Sequence, residues 1–182
     1  MQVEKSGSEL ATKNQMTVER KSDREVVITR TFNAPATIVF DAWTKPELMM
    51  RWWAPRSTGM KLISCEIDLR VGGKYRLVFA GDGDKPDAFF GKYRLVERPT
   101  RLVWTDDDLL EGSGQISAPT AAAGEAVSTL TLEEKHGKTT LILHQLFPSK
   151  EALDGALSGM EHGMRETLEQ LEELLAATKK ID

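Results

Sequence analysis

Seven apolar residues near the C-terminus constrain the fold more than any other feature of the chain. Leu153, Leu157, Met160, Met164, Leu168, Leu171 and Leu175 recur at intervals of 4, 3, 4, 4, 3 and 4 residues. At ~100° per residue they fall within roughly 80° of arc, so they form the buried stripe of one long amphipathic helix. Glu161, Arg165, Glu169, Glu172 and Glu173 lie on the other side. The charge balance fits this placement. Residues 1–148 hold as many bases as acids, and the whole net charge of −4 resides in residues 149–182. The acids are the solvated face of the helix.

What precedes the helix has a different period. Glu25–Phe32 is rich in β-formers and reads as a strand, closed by Asn33-Ala34-Pro35. Ala36–Trp43 predicts a short helix, and Thr44-Lys45-Pro46-Glu47 has the form of a capping box opening a second one through Leu48, Met49 and Trp52. Six strands follow. Ile63, Cys65, Ile67 and Leu69 alternate with polar residues, and Gly72-Gly73 is expected to close a hairpin to Tyr75, Leu77 and Phe79. Phe89, Gly91, Tyr93 and Leu95 share one face of the next strand, and Leu102–Thr105 form another. Residues 106–125 read as an irregular loop, which is long for a small domain. Ala126–Glu134 and Thr139–Phe147 then flank the two-residue turn His136-Gly137, and Pro148-Ser149 stops the last strand and caps the helix.

The order is therefore strand, two short helices, six strands, long helix. A curved antiparallel sheet of about seven strands wrapped on the C-terminal helix is the economical α+β solution, and such a sheet can leave an interior cavity. Residues 1–23 read as a polar tail and residues 24–178 as one domain, as expected for 182 residues. The single cysteine, Cys65, excludes an intrachain disulfide and CxxC chemistry. No apolar run reaches ~18 residues, and the N-terminal segment lacks a signal-peptide core, so a cytoplasmic protein with no membrane partner is expected. A nearly neutral chain with no strongly basic face is a poor partner for nucleic acid.

Several segments together resemble a known family. They are Phe32-Asn-Ala-Pro35, Ala42-Trp-Thr-Lys-Pro-Glu47 with Arg51-Trp52-Trp53, Asp68-Leu-Arg-Val-Gly-Gly73, and Gly91 to Pro99. Arg101-Leu-Val-Trp-Thr105, Ser128 to Glu134 and Gly159 to Leu171 complete the set. In this order, over about residues 24–176, they resemble the family of proteins like the activator of heat-shock-protein-90 ATPase, within the START-like, birch-pollen-allergen-like helix-grip superfamily (SRPBCC). The resemblance implies a helix-grip fold with an interior cavity. It also brings in a chaperone as a candidate partner and a stress response as a candidate setting. The named activator has a separate chaperone-binding domain, which the resemblance does not cover. Where the family commonly has Gly-Trp on the last helix, this chain has Gly163-Met164.

Chemistry-bearing residues are sparse. His136, His144 and His162 fall on a turn, a strand and the polar side of the helix, so no metal site or cofactor is expected. His162 and Glu166 read as a surface pair, and Asp68 and Arg70 as an ion pair beside a hairpin. Cys65 falls on an apolar face and reads as an inert hydrophobe. Gln145 shares a face with Leu141, Leu143 and Phe147, where a polar group needs a partner. The expected ligand-binding set is Trp52, Trp53, Tyr75, Phe79, Phe89, Tyr93, Trp104, Gln145, Met160 and Met164. With no catalytic residue set, the leading expectation is binding of a small apolar or aromatic molecule. A chaperone-ATPase-activating or other protein-interaction module is the second. A cyclase or hydrolase of an aromatic substrate using Asp68, Tyr75 or Tyr93 is the third. Gly155, Gly159 and Gly163 form a further stripe, suited either to close contact with another chain, a homodimer included, or with the 106–125 loop, or to a frayed first half of the helix.

Overall fold

The computed structural model describes residues 15–80, 85–107 and 125–179. The elements are β1 (Thr17–Arg20), β2 (Glu25–Phe32), α1 (Ala36–Thr44), α2 (Pro46–Met49), β3 (Lys61–Ile67) and β4 (Lys74–Ala80). They continue with β5 (Asp87–Glu97), β6 (Arg101–Asp107), β7 (Ala126–Lys135), β8 (Lys138–Leu146) and α3 (Lys150–Lys179). The strands form a single 8-stranded sheet in the order β1-β2-β8-β7-β6-β5-β4-β3, with each neighbouring pair antiparallel. The sheet is curved and open, and α3 lies across it, which is the helix-grip arrangement.

The eighth strand is β1, within a stretch that composition marks as polar tail. It pairs with β2 from Thr17↔Thr29 to Arg20↔Val26, Met16 beside it is 5% exposed, and Arg20 reaches Asp154 of α3 at 2.7 Å. Residues 1–14 lie outside the described residues. So does the 108–124 part of the expected loop, while Asp106 and Asp107 extend β6.

Turn chemistry is as expected at His136-Gly137, where both residues have positive φ, 52° and 73°, as a two-residue hairpin of type I′ requires. Ser149 also caps α3, its Oγ accepting from the Ala152 amide at 3.1 Å. Three local expectations differ. Thr44 does not cap α2: its hydroxyl donates back to the Phe40 carbonyl at 2.8 Å within α1, and Lys45 takes the cap position without a side-chain bond. Gly72-Gly73 is only the end of a longer connection. There the Gly72 amide donates to Tyr93 and the Gly73 amide to Arg70, both at 2.8 Å. Leu69 lies in that connection rather than in β3.

Two irregularities redirect side chains. The β3–β4 register shifts between Leu62 and Ser64, leaving Leu62 6% and Ile63 51% exposed. The β5–β6 register shifts between Tyr93 and Leu95, and Val96 rather than Leu95 packs on the core. One extra residue in a strand reverses the facing of all that follow.

The packing of α3 sets up the site. Leu153 joins Val26 and Phe147 in a small cluster at one end. Leu168, Leu171, Leu174 and Leu175 enter the main core at the other. Fully burying such a side chain stabilises by about 1.5–3 kcal/mol. Between these anchors, from Asp154 to Glu166, no residue of the helix is buried. The stretch spans roughly 20 Å at 1.5 Å per residue. A Cβ added at Gly155 or Gly159 would meet nothing within 4 Å, and neither φ is positive. Replacing either by alanine is therefore expected to raise stability by about 0.8–1 kcal/mol, read from urea unfolding.

Candidate functional site

Where α3 passes over the sheet with its side chains at most partly buried, a hollow of about 420 Å³ remains. Its walls come from every layer. β4 contributes Tyr75, Leu77 and Phe79 in alternation, β5 Phe89 and Tyr93, and β6 Leu102, Trp104 and Asp106. β7 and β8 contribute Ala126 and Gln145, with Phe147 just beyond β8. Trp43, Met49 and Trp53 close one side from the helical hairpin, and Met160 and Met164 close the top from α3.

Nine of the ten expected lining residues thus border one hollow. The tenth, Trp52, does not. It is fully buried, with its indole N–H donating to the Ala42 carbonyl at 2.9 Å. The turn after α2 points adjacent tryptophans in different directions, and Trp53 takes the hollow. All four tryptophans touch in one cluster: Trp43 lies 5.0 Å from Trp52, 5.3 Å from Trp53 and 6.0 Å from Trp104 between ring centroids.

The turn is held against α3 by a polar clamp that periodicity alone does not reveal. Gln170 donates to the carbonyls of Trp52 and Ala54, each at 2.9 Å, and accepts from the Arg56 amide at 3.0 Å. Glu166 accepts from the Ser57 amide at 2.8 Å and from its hydroxyl. Those two bonds hold its carboxyl below the usual range. The hydrogen-bond partner of Glu166 is therefore Ser57, and His162 adds a smaller charge interaction.

Polar groups in the hollow are few. The Tyr75 hydroxyl donates to the Asp106 carboxylate. It reaches there by crossing β5 over Gly91, where a Cβ would sit 2.3 Å from that hydroxyl and 2.1 Å from the Thr105 carbonyl. Gly91 is thus required by the close approach of its neighbours. Burial pushes the Tyr93 phenol well above its ordinary value. Gln145 donates to the Ser128 hydroxyl at 3.3 Å. Among the described residues no Lys, Arg or His borders the hollow.

Other candidate chemistry lies elsewhere. Asp68 pairs with Arg70 at 2.8 Å with both side chains more than half exposed, on the connection outside the hollow. Cys65 lies 3.8 Å from Met49 Sδ, and burial pushes its thiol up to about 11. Among the described residues no group of three or more His, Cys, Asp or Glu could hold a metal, and no helix is long and apolar enough to cross a membrane.

A second, outer groove of about 490 Å³ adjoins the hollow. Trp53, Phe79, Phe89, Met160 and Met164 border both spaces and form the wall between them. Gly155, Gly159 and Gly163 line the outer groove beside the two methionines. The glycine stripe therefore flanks the hollow's roof.

Solved structures share this architecture. A crystal structure from Rhodobacter sphaeroides is 26% identical, with a TM-score of 0.76, and the match covers 90% of this chain and 99% of that one. A solution structure from Staphylococcus epidermidis is 31% identical, with a TM-score of 0.70 and coverage of 90% and 95%. One from Arthrobacter aurescens is 24% identical, with a TM-score of 0.73 and coverage of 88% and 91%. No curated protein matches the chain. The family described as activator of Hsp90 ATPase homolog 1-like protein matches residues 33–176, which takes in the helical hairpin, six of the eight strands, β3 to β8, and all but the end of α3. With that match and the helix-grip architecture in agreement, the chain belongs to the activator of Hsp90 ATPase homolog 1-like family of START-like proteins.

Proposed function

We propose that the protein binds a small, largely apolar, ring-bearing molecule between the sheet and α3, without covalent chemistry by the chain itself. The observation that carries this is the hollow of about 420 Å³ with a mostly apolar and aromatic lining. It lies beneath a helix anchored at both ends and at most partly buried between them. Small-molecule sites are concave and mostly apolar, with volumes of ~300–1,000 Å³. Flexible Met160 and Met164 in the roof suit a site that adapts to its occupant.

Because Trp43, Trp53 and Trp104 all border the hollow, an occupant is expected to change tryptophan fluorescence and raise the melting temperature together. A panel of apolar and aromatic metabolites tests this. A ligand at 100 times its Kd adds about 2.7 kcal/mol of apparent stability. No response across the panel, with a crystal structure showing the interior filled by side chains, refutes the reading.

Membership of this family supports a second reading, stimulation of a chaperone ATPase through a protein–protein contact. Chaperone ATPase rates with and without the protein, and co-elution on a sizing column, decide it. An unchanged rate with no complex removes it.

A further inference from the structure

Two residues that border the hollow each carry a buried polar atom with no partner among the described residues: the indole N–H of Trp43 and the side-chain carbonyl oxygen of Gln145. Trp43 is only 2% exposed, so water does not satisfy its donor from outside. Gln145 uses its amide nitrogen on the Ser128 hydroxyl at 3.3 Å, which leaves its oxygen as the free acceptor. A run of neighbouring residues links the two groups. The Trp43 ring lies 6.0 Å from that of Trp104, Trp104 is the register partner of Ser128 on β7, and Ser128 is the partner of Gln145 on β8. Buried donors and acceptors are almost always paired, and leaving them unpaired is costly. One unpaired donor and one unpaired acceptor on residues that border a mostly apolar hollow are a recognition element.

Charge narrows the class further. Among the described residues no Lys, Arg or His borders the hollow, and the Asp106 carboxylate does. An anionic ligand would carry its charge into an apolar space without a counter-ion, which is strongly unfavourable. Resting on the reading of the hollow as a ligand site, we infer that its ligand is an uncharged aromatic or alicyclic molecule carrying one hydroxyl or primary amide. That head accepts from Trp43 Nε1–H and donates to Gln145 Oε1, while the body fills the apolar remainder.

Three probes of one shape separate these contributions: naphthalene, 2-naphthol and 2-naphthoate, titrated at neutral pH by calorimetry. The expected order is 2-naphthol first, tighter than naphthalene by on the order of tenfold, with 2-naphthoate weakest. Gln145→Leu and Trp43→Phe are each expected to cut the advantage of 2-naphthol over naphthalene severalfold. Gln145 is less deeply packed than Trp43, so Gln145→Leu carries the test if Trp43→Phe does not fold. Equal affinity for naphthalene and 2-naphthol overturns this inference but leaves the apolar site standing. So does a preference that survives both variants, or tightest binding by 2-naphthoate. No binding of any of the three overturns both.

Discussion

Trp52→Ala is expected to remove most of the protein's stability, and Trp53→Ala to remove ligand binding while leaving the fold. The two residues are neighbours in sequence and their ring centroids are 5.1 Å apart, but they serve different ends. Trp52 is fully buried, and truncating such a side chain costs about 3–5 kcal/mol. Its indole N–H also satisfies the Ala42 carbonyl inside the helical hairpin. Leaving that carbonyl unpaired adds about 1–3 kcal/mol. Against a total of about 5–15 kcal/mol for a typical domain, the loss is large enough to lower the melting temperature by about 10 °C or more. Trp53 is half-buried and borders both the hollow and the outer groove, so its truncation enlarges a space that already exists. The expected cost is under about 2 kcal/mol, with fluorescence and thermal responses to ligand weakened. Urea unfolding of both variants, followed by the ligand panel on the folded one, checks the pair. Equal destabilisation would refute the assignment of Trp53 to the wall of the site.

The contrast shows what could be read from the chain beforehand. Alternation marks which strands are half-buried, and the 3.6-residue period marks which face of α3 is apolar. Those two periods suffice for the sheet-on-helix architecture. They do not register a bulge. Counting by twos through Ile63 and Leu95 sends both inward, yet Ile63 is 51% exposed and Val96 takes the core position near Leu95. Nor do they separate Trp52 from Trp53, because the chain between α2 and β3 has no period of its own. Its orientation comes from Gln170 gripping the carbonyls of Trp52 and Ala54 from more than a hundred residues away in sequence. A glutamine on the flank of an amphipathic helix gives no hint of that.

The lining was legible for a related reason: large aromatics on the inward face of a concave sheet have few places to go. Its polar groups were only half legible. Gln145 stands out as a polar residue on an apolar face. Trp43 sits in a nine-residue helix with buried residues on several sides, and nothing in that pattern separates a tryptophan that fills the core from one that borders a hollow. Asp106 was hidden because β6 runs on through Asp106 and Asp107, residues whose composition suggests a loop. Gly91 reads as an ordinary strand interruption until Tyr75 is seen lying across it.

Met164→Trp is expected to close the site without unfolding the protein. Met164 belongs to the wall shared by the hollow and the outer groove. It is only partly buried against the core and faces both spaces, so a larger side chain has room to enter. An indole there would lie over Trp53, Phe79 and Phe89 in the same wall, gaining apolar burial and aromatic contact worth about 0.5–1.5 kcal/mol per pair. Stability is therefore expected to hold or rise, where overpacking a filled core would cost about 1–3 kcal/mol. Ligand affinity is expected to fall at least about tenfold, the equivalent of about 1.4 kcal/mol, because the new ring takes volume from the hollow. Calorimetric titration of the wild-type ligand against the variant, beside its unfolding curve, reads both quantities. A destabilised variant would show that the space beneath α3 is closed by packing. Unchanged affinity with unchanged stability would place the ligand outside the hollow altogether. Stable folding with lost binding is the outcome that follows from a helix held at its two ends and only partly buried between them.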